Sequence, residues 1–361
     1  MDVHVKKEDL IRYIENIFIA KGMNEEDAGI TADVLVAADA RGIPSHGVGR
    51  LWRYLAGIDK GVMKLNIVPA TVTETPVSLV VDAKGMMGPP VSFRTMQAVI
   101  DKAEKNGMAF SCVRDSNHFG IAGYYSMMAL PKDMIGFSMT NTAALGVPTF
   151  GRNVMFGTNP ISVAVPANNE ASYVLDMSTT VVSRGKIEVY ERLGKTIPKG
   201  WAVNEKGLSA LEPGPLIESM LVQAGGGIMP LGGEGEEFAG YKGFGLAVLV
   251  DIMTAVLAGA EFGPDVVDSE ATSARVSHFF GAVKLTHFRD AELFKNDMDQ
   301  MLRQLKEADP AEGQKRVYYA GLKEAENEIE SQRTGVPISE KVWISISESG
   351  KNLGIKRPVT I

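Results

Sequence analysis

The sequence predicts an α/β protein in which a mixed domain, at about residues 70–289, is inserted into a helical domain built from residues 1–69 and 290–361. Three observations predict this division. Apolar residues recur at helical spacing over roughly the first 60 positions, runs typical of strands follow from about residue 70, and a charged helical pattern returns after about residue 290.

The first helical segment is marked by Leu10, Ile14 and Phe18, which lie on one helix face, and by Gly22, which ends it. Asn24 precedes three acidic residues and suits the N-cap of the second helix, because its side chain can accept a hydrogen bond from a free backbone N–H. The helices expected in this domain span residues 8–20, 25–40, 48–58, 291–308 and 322–333.

The inserted domain begins with short β-branched runs and with Pro89, a residue well placed to open a helix. The strands expected here span residues 71–73, 78–81, 108–113, 135–140, 161–166, 173–176 and, as the last strand, 279–284. The helices expected here span residues 89–105, 120–130 and 242–258.

The composition is that of an ordinary soluble globular protein, with 45% hydrophobic and 22% charged residues in a chain of 361. A diffuse net charge of −7 argues against nucleic acid as the partner, since phosphate binding needs a concentrated basic face. The single cysteine, Cys112, excludes an intrachain disulfide and a multi-cysteine zinc site, and it favours a reducing, cytoplasmic location. The N-terminus lacks the apolar run of a secretory signal, and Asp251 interrupts the most apolar stretch, so no membrane segment is expected.

The segment from Ser45 to Arg50 combines a hydroxyl, an imidazole and a guanidinium. His46 can exchange a proton near neutral pH, and Arg50 can grip a carboxylate with two parallel hydrogen bonds. If a helix starts near His46, Arg50 lies on the same face and Ser45 suits the N-cap. The alternative is structural, with Ser45 only capping the helix and His46 lying on the surface.

His118 follows a predicted strand and precedes a small-residue helix, a position where ligands bind in α/β sheets. A turn histidine satisfied by backbone groups is the alternative. Asp176 ends another predicted strand, where a carboxylate can orient a histidine or, alternatively, cap a helix that starts near Thr180.

Glycines cluster at residues 225–233 and 240–245, just before a predicted helix that carries Tyr241 and Lys242. Such a loop lets backbone N–H groups approach phosphate oxygens, although a mobile loop without ligand has the same composition. The spacing matches neither a Walker A motif nor the glycine fingerprint of a Rossmann fold, so no Rossmann-type nucleotide site is expected. The histidines are too scattered for a dedicated metal site, and Asn141, between two threonines at a strand end, is explained by turn chemistry alone.

Taken in order, these segments resemble the type 2 malate/L-lactate dehydrogenase family, which also contains sulfolactate and ureidoglycolate dehydrogenases and some keto-acid and cyclic-imine reductases. The matching segments are residues 41–47 with Arg50 and Leu51, 116–120, 157–160, 175–178, 197–202, 230–233 and 241–246. The likeness covers nearly the whole chain. It implies a non-Rossmann NAD(P)-binding α/β domain, packed on a helical domain drawn from both termini, in a homodimer.

The resemblance implies hydride transfer between NAD(P)H and the C2 carbon of a small 2-oxo acid, with malate and oxaloacetate as the favoured pair. Ser45 and His46 would lie at the substrate, Arg50 would hold its carboxylate, and either His46 or His118 would be the acid/base. Asp176 would orient a histidine or touch the cofactor, and Asn141 would be a further substrate ligand. The expected cofactor contacts are His118, Phe119, Gly120, Asp176, Met177, Ser178, Tyr241 and Lys242.

Other readings differ in substrate or class. Sulfolactate, L-lactate, ureidoglycolate, diketogulonate or a cyclic imine could replace malate, and the choice between NAD and NADP is open. Rivals from other classes are a non-catalytic nucleotide-binding protein and a metal-dependent hydrolase using His46, His118 and Asp176. One segment departs from the family pattern, because this chain has Ala320-Gly321-Leu322 where members often have Pro-Gly-Glu.

Overall fold

A mixed β-sheet lies at the centre of the molecule, whose computed structural model describes residues 2–222, 224–267 and 274–361. The strands, in chain order, are β1 Asp2–Val5, β2 Ala70–Glu74, β3 Ser78–Asp82, β4 Met108–Ser116, β5 Met134–Thr140, β6 Ile161–Val165, β7 Tyr173–Met177, β8 Ala202–Val203, β9 Gly227–Ile228, β10 Val276–Lys284 and β11 Val336–Ser339. The helices are α1 Lys7–Ala20, α2 Glu25–Ala40, α3 Leu51–Asp59, α4 Gly88–Asn106, α5 Ala122–Met127, α6 Arg184–Arg192, α7 Pro213–Leu221, α8 Gly240–Asp251, α9 Ala291–Lys306, α10 Leu322–Thr334 and α11 Glu340–Asn352.

The strand order of the central sheet is β2-β3-β4-β10-β5-β6-β7. Within the described residues only β3 and β4 pair in parallel, and the other neighbours are antiparallel. A Rossmann sheet is built from parallel strands, so this topology confirms the expected non-Rossmann α/β class. Strand β10, which comes late in the chain, lies in the middle of the sheet between β4 and β5.

Most predicted elements of both segments are confirmed. Asn24 Oδ1 accepts from the N–H of Asp27 at 2.9 Å, which is the N-cap that the sequence predicts for α2. Pro89 lies in the first turn of α4, where its missing N–H is not needed. The apolar helix near residue 250 begins as α8 and continues in a π-helical segment, Ile252–Val256.

The two ends of the chain meet in a small sheet that the sequence does not reveal. β1 pairs antiparallel with β11, with Val5 opposite Val336, and this pair packs near α2, α10 and α11. The expectation that residues 279–284 form the last strand is wrong, since β11 follows. β11 is only four residues long and contains Pro337, so it lacks a clear strand pattern.

Separate apolar clusters fill the two parts of the protein. Phe18, Leu35 and Trp343 belong to a cluster formed by the terminal helices, whereas Met96 and Phe280 belong to one between α4, α5 and the central sheet. Helix α9 belongs to neither of these two clusters and lies against the loop after β6. The buried carboxylate of its Asp299 accepts hydrogen bonds from the backbone N–H groups of residues 168–170. The domain boundaries at 69 and 290 stay a prediction.

None of the helices formed by the described residues has both the length and the apolar composition that a membrane crossing requires.

Candidate active site

Two histidine rings lie face to face where the turn after α2 meets the loop after β4. The ring centroids of His46 and His118 are 5.5 Å apart and the ring planes are inclined by 17°. Both side chains are half-buried. The sequence predicts that these two segments face one another, and the structure places their imidazoles in direct contact.

The turn that carries Ser45 and His46 is not the start of a helix. The N–H of His46 donates to Ile43 O at 3.1 Å, and helical conformation begins only at Val48, as a 3₁₀ turn before α3. The predicted helix over residues 48–58 is therefore confirmed, and the condition of a start near His46 is not met, because the extended backbone of Gly47 precedes the helix. Ser45 therefore caps no helix, and its hydroxyl lies 2.9 Å from His46 Nδ1.

A tyrosine that the sequence analysis missed supports the second histidine. The buried hydroxyl of Tyr54 lies 2.7 Å from His118 Nδ1 and also donates to His118 O at 3.3 Å. The N–H of Gly120 lies 3.3 Å from the same Nδ1. One signal could have found it: Tyr54 follows Arg50 by four positions, which on a helix is the same face.

Two arginines of the same segment set the charge around the rings. Arg50 Nε donates to Ser45 O at 2.6 Å, which holds its guanidinium beside the turn. Burial first, and then Arg50 and Arg53, lower the pKa of His46 to about 4. Burial, His46 and both arginines hold the pKa of His118 well below its usual value. Both imidazoles are therefore neutral at pH 7 in the ligand-free protein.

A third histidine, His278, lies behind the pair in the middle of the sheet. It is fully buried, and its ring stacks on Phe119 with centroids 4.4 Å apart. Its Nδ1 lies 2.8 Å from Thr140 Oγ1, and its Nε2 lies 2.9 Å from Ser116 Oγ. Both nitrogens have hydroxyl partners, so the contacts define a structural histidine.

Asp176 lies apart from the histidines, at the end of β7. Its Oδ2 accepts from the N–H of Gly123 at 2.7 Å. Burial raises the pKa of Asp176 to about 6, against the lowering effects of that N–H and of Arg41. The alternative of a helix cap near Thr180 is wrong, since the next helix, α6, begins at Arg184. No hydrogen bond joins Asp176 to a histidine within the described residues.

A cleft of about 310 Å³ opens at Asp176, and solvent reaches the carboxylate through it. A Cβ atom on Gly123 would lie 2.9 Å from Asp176 Oδ2, so glycine is needed for this close contact. The segment that departs from the family pattern, Ala320 and Gly321, still lines the cleft. A carboxylate suits ribose hydroxyls, and the cationic groups at the wall suit phosphates, so the lining fits part of a dinucleotide. The charged residues of the wall are Arg41, Asp176, Lys323 and Glu324.

Two predicted ligands have side chains that are engaged elsewhere. Asn141 is fully buried; its Oδ1 accepts from Ser277 N–H at 2.7 Å and its Nδ2 donates to Glu261 O at 3.3 Å. Phe119 is buried, and its ring is stacked on His278, as described above. Their roles as ligands stay predictions.

The remaining predicted cofactor contacts lie on two elements. Met177 ends β7, and Ser178, directly after it, donates its hydroxyl to Thr180 O at 3.1 Å. Tyr241 and Lys242 lie exposed in the first turn of α8, with Lys242 Nζ 6.0 Å from the Tyr241 ring centroid. In the described part of the chain, no three His, Cys, Asp or Glu side chains come together as metal ligands.

The geometry defines a class of site: one that exchanges a proton with a small anion, beside a cleft that fits part of a nucleotide. Comparison with known proteins makes this more specific. A family model described as malate/L-lactate dehydrogenase matches residues 5–347. The chain belongs to the malate/L-lactate dehydrogenase family, and membership implies a nicotinamide dinucleotide cofactor.

Individual relatives are similar over nearly their whole lengths. A malate dehydrogenase of Pyrococcus abyssi is 39% identical over 98% of this chain and 96% of its own. A malate/(S)-sulfolactate dehydrogenase of Methanothermus fervidus is 34% identical over 95% and 96% of the two chains. The crystal structure of malate dehydrogenase from Entamoeba histolytica is 31% identical and superposes with a TM-score of 0.94, covering 99% of this chain and 100% of that one.

Proposed function

We propose that this protein is an NAD(P)-dependent dehydrogenase that interconverts malate and oxaloacetate. The observation that carries the proposal is the stacked pair His46 and His118, with Tyr54 bonded to one ring and two arginines beside both. The relatives named malate dehydrogenase, at 39% and 38% identity, support the choice of substrate.

The two arginines match the two carboxylates of the substrate. Arg50 is held to the turn through Nε, so its Nη groups are positioned to grip the C1 carboxylate in a bidentate contact. Arg53 follows three positions later, in the first turn of α3, and its charge acts on both imidazoles. We assign it to the C4 carboxylate. A substrate with two negative groups therefore binds more tightly than one with a single carboxylate.

His118 acts as the acid/base in this proposal. Its Nδ1 is occupied by Tyr54, which leaves Nε2 to exchange the proton. In the tautomer that carries the proton on Nδ1, the Tyr54 hydroxyl accepts from Nδ1–H while donating to His118 O, in place of the 3.3 Å contact of Nδ1 with the Gly120 N–H, and this chain of bonds orients the ring. The bound cofactor supplies or removes the hydride at C2. His118 delivers a proton to the C2 oxygen during reduction and removes it from the hydroxyl during oxidation.

In this proposal, substrate binding favours the protonated imidazole, which is the form that donates the proton. Burial, and after it the nearby arginines, lowers the pKa of both imidazoles. A bound dianion offsets the charge of both guanidinium groups, so the pKa of the ring rises towards the working pH. His46, stacked on His118 and bonded to Ser45, completes the wall of the site.

The cleft at Asp176 is placed to hold the cofactor. It begins at Ile121 and Gly123, three to five positions after His118, so a dinucleotide in the cleft can extend towards the imidazole. The Asp176 carboxylate would accept ribose hydroxyls, and Lys323 would face a phosphate group. Gly120, Met177, Ser178, Tyr241 and Lys242 remain expected contacts, and NAD and NADP remain alternatives.

We propose a homodimer for the same protein. After its first turn, α8 with its π-helical extension is mostly apolar, yet Leu249, Ile252 and Val256 are 42%, 46% and 52% exposed. An apolar face of this kind on a soluble protein marks an interface. Sedimentation equilibrium is expected to give twice the chain mass, and to give one chain mass for Ile252→Glu.

Turnover of a substrate panel tests the function. The purified protein is mixed with NADH or NADPH and with oxaloacetate, sulfopyruvate, pyruvate or a cyclic imine. We expect oxaloacetate to be reduced, with kcat/KM about 100-fold above pyruvate, since one charge-assisted carboxylate contact contributes about 1.5–3 kcal/mol. Arg53→Met is expected to remove most of that difference, whereas Arg53→Lys keeps part of it. Oxidation of the cofactor with pyruvate or the imine, but not with oxaloacetate, contradicts the proposal.

Sulfolactate is the second candidate substrate. Its sulfonate carries the second negative charge that Arg53 is placed to meet, and a relative of Methanocaldococcus jannaschii named L-sulfolactate dehydrogenase is 34% identical. Sulfopyruvate reduction with a larger kcat/KM than oxaloacetate reduction would make it the preferred substrate.

A further inference from the structure

A buried carboxylate, that of Asp39, lies beneath the histidine turn. Asp39 is the second-last residue of α2 and only 4% exposed. It makes no ion pair within the described residues. A negative charge near the C-terminus of a helix is also unfavourable, because the helix dipole is negative there. Burial raises the pKa of Asp39 to about 7, against the lowering effect of the Val48 N–H.

The contacts of this carboxylate all lead to the turn above it. Asp39 Oδ2 accepts from the N–H of Val48 at 2.7 Å, the first residue of the 3₁₀ turn. The carboxylate also lies directly against Gly47, where a Cβ atom would come within 2.1–2.2 Å of its atoms. The backbone of the turn therefore rests on Asp39 at the two positions that follow His46.

From these contacts we infer that Asp39 is a positioning residue. It holds the turn of residues 45–50 in the position at which His46 stacks on His118 and Arg50 reaches the substrate. The inference rests on the proposed function. The N–H of Arg50 donates to Gly47 O at 2.9 Å, and Arg50 Nε donates to Ser45 O, so the guanidinium follows any movement of this backbone. Asp39 itself touches neither substrate nor cofactor.

A set of variants distinguishes the positioning role of Asp39 from a general loss of stability. Asp39→Ala removes the acceptor and leaves a space under the turn, whereas Asp39→Asn keeps an oxygen for the Val48 N–H. Thr31→Val is the matched control. Thr31 is equally buried on α2, but its hydroxyl bonds only to its own helix, through Asp27 O at 2.7 Å, and to Met23 Sδ.

With oxaloacetate as substrate, Asp39→Ala is expected to raise KM about tenfold and to lower kcat about tenfold, because a displacement of about 1 Å at a site can cost about 100-fold in rate. Asp39→Asn is expected to stay within about threefold of wild type in both constants. Thr31→Val is expected to lower the melting temperature and to leave KM and kcat unchanged. A folded Asp39→Ala enzyme with wild-type KM and kcat overturns the inference.

Gly47 supplies a second test that does not depend on the folding of Asp39→Ala. Gly47→Ala forces a methyl group onto the Asp39 carboxylate, so kcat/KM is expected to fall about 100-fold. The double variant Asp39→Ala with Gly47→Ala is expected to lose no more than about 100-fold, as each single variant does, since both changes act on the same contact. Wild-type kinetics in Gly47→Ala, or a loss in the double variant equal to the product of the two single losses, contradicts the role of Asp39.

NMR of the imidazole rings tests the inference separately from the activity. The His46 and His118 signals are expected to move in Asp39→Ala, and that of His287, which follows β10 and lies beside Gly107, to stay in place. If the wild-type protein reduces no substrate of the panel, the proposed function fails while these shifts still decide the positioning role. If the wild type is active and neither the shifts nor the kinetics change, only the inference fails.

Discussion

His278 and the pair His46–His118 are all histidines with a lowered pKa, but their surroundings differ in kind. His278 is fully buried, burial lowers its pKa to about 3, and each of its nitrogens has a hydroxyl partner. Within the described residues, His118 has hydrogen-bond partners on Nδ1 only, and two arginines lower its pKa further. Burial and a low pKa therefore do not identify an acid/base. A candidate acid/base is identified instead by a ring nitrogen that has no hydrogen-bond partner and lies beside groups that can bind an anion.

The largest effect expected from this comparison is on turnover. His118→Asn is expected to lower kcat for oxaloacetate reduction by about 10³-fold, because proton transfer by a positioned side chain contributes about 10²–10⁴-fold. The matched variant, His278→Asn, is expected to be less stable but to keep kcat within about threefold in the folded enzyme. Steady-state kinetics on both proteins checks this, and an equal loss in the two variants breaks the distinction between them.

Tyr54→Phe tests the partner of His118 and should have a smaller effect. The ring keeps its place against Phe18, but Nδ1 loses its 2.7 Å hydrogen bond. We expect kcat to fall about 10- to 100-fold with KM nearly unchanged, since one hydrogen bond to a charged group contributes about 1.5–3 kcal/mol. An increase in KM without loss of kcat would instead place Tyr54 at the substrate.

Acid unfolding isolates the structural histidine. The folded pKa of His278, about 3, lies below the unfolded value of 6.5, so its contribution to stability is present above pH 6.5 and is lost as the pH falls towards 3. The difference in free energy of unfolding between wild type and His278→Asn is therefore expected to shrink by about 1–2 kcal/mol from pH 7.5 to 5. Urea titrations at each pH measure it. A difference that stays constant with pH would mean that the pKa of His278 is the same in the folded and the unfolded protein.

Local patterns predicted much of this protein. The helical spacing of Leu10, Ile14 and Phe18, the cap at Asn24 and the apolar strands were sufficient for the elements and their class. The order of the motifs also predicted that the segments of His46 and His118 belong together. These features depend on residues close in sequence, or on a resemblance that spans the whole chain.

The parts that sequence reasoning missed depend on long-range contacts. Tyr54 and His118 are 64 positions apart, and β1 meets β11 across more than 330 positions, so neither relation leaves a local pattern. In the sequence, Asp39 is an ordinary polar residue near the end of a helix. Only the folded structure shows the turn that lies over it. Asn141 was expected at the substrate, but the strand β10 beside it uses its amide for the backbone of Ser277.

The central place of β10 has a consequence for the growing chain. β4 and β5, the two strands that flank it, are synthesised some 140 residues or more before it. Until residue 284 has left the ribosome, both strands have an edge with unpaired backbone groups, and such edges invite wrong pairing. The segment that brings His118 to its partners is part of that unfinished sheet. Both histidines of the pair are therefore synthesised long before the sheet that brings them together can be completed.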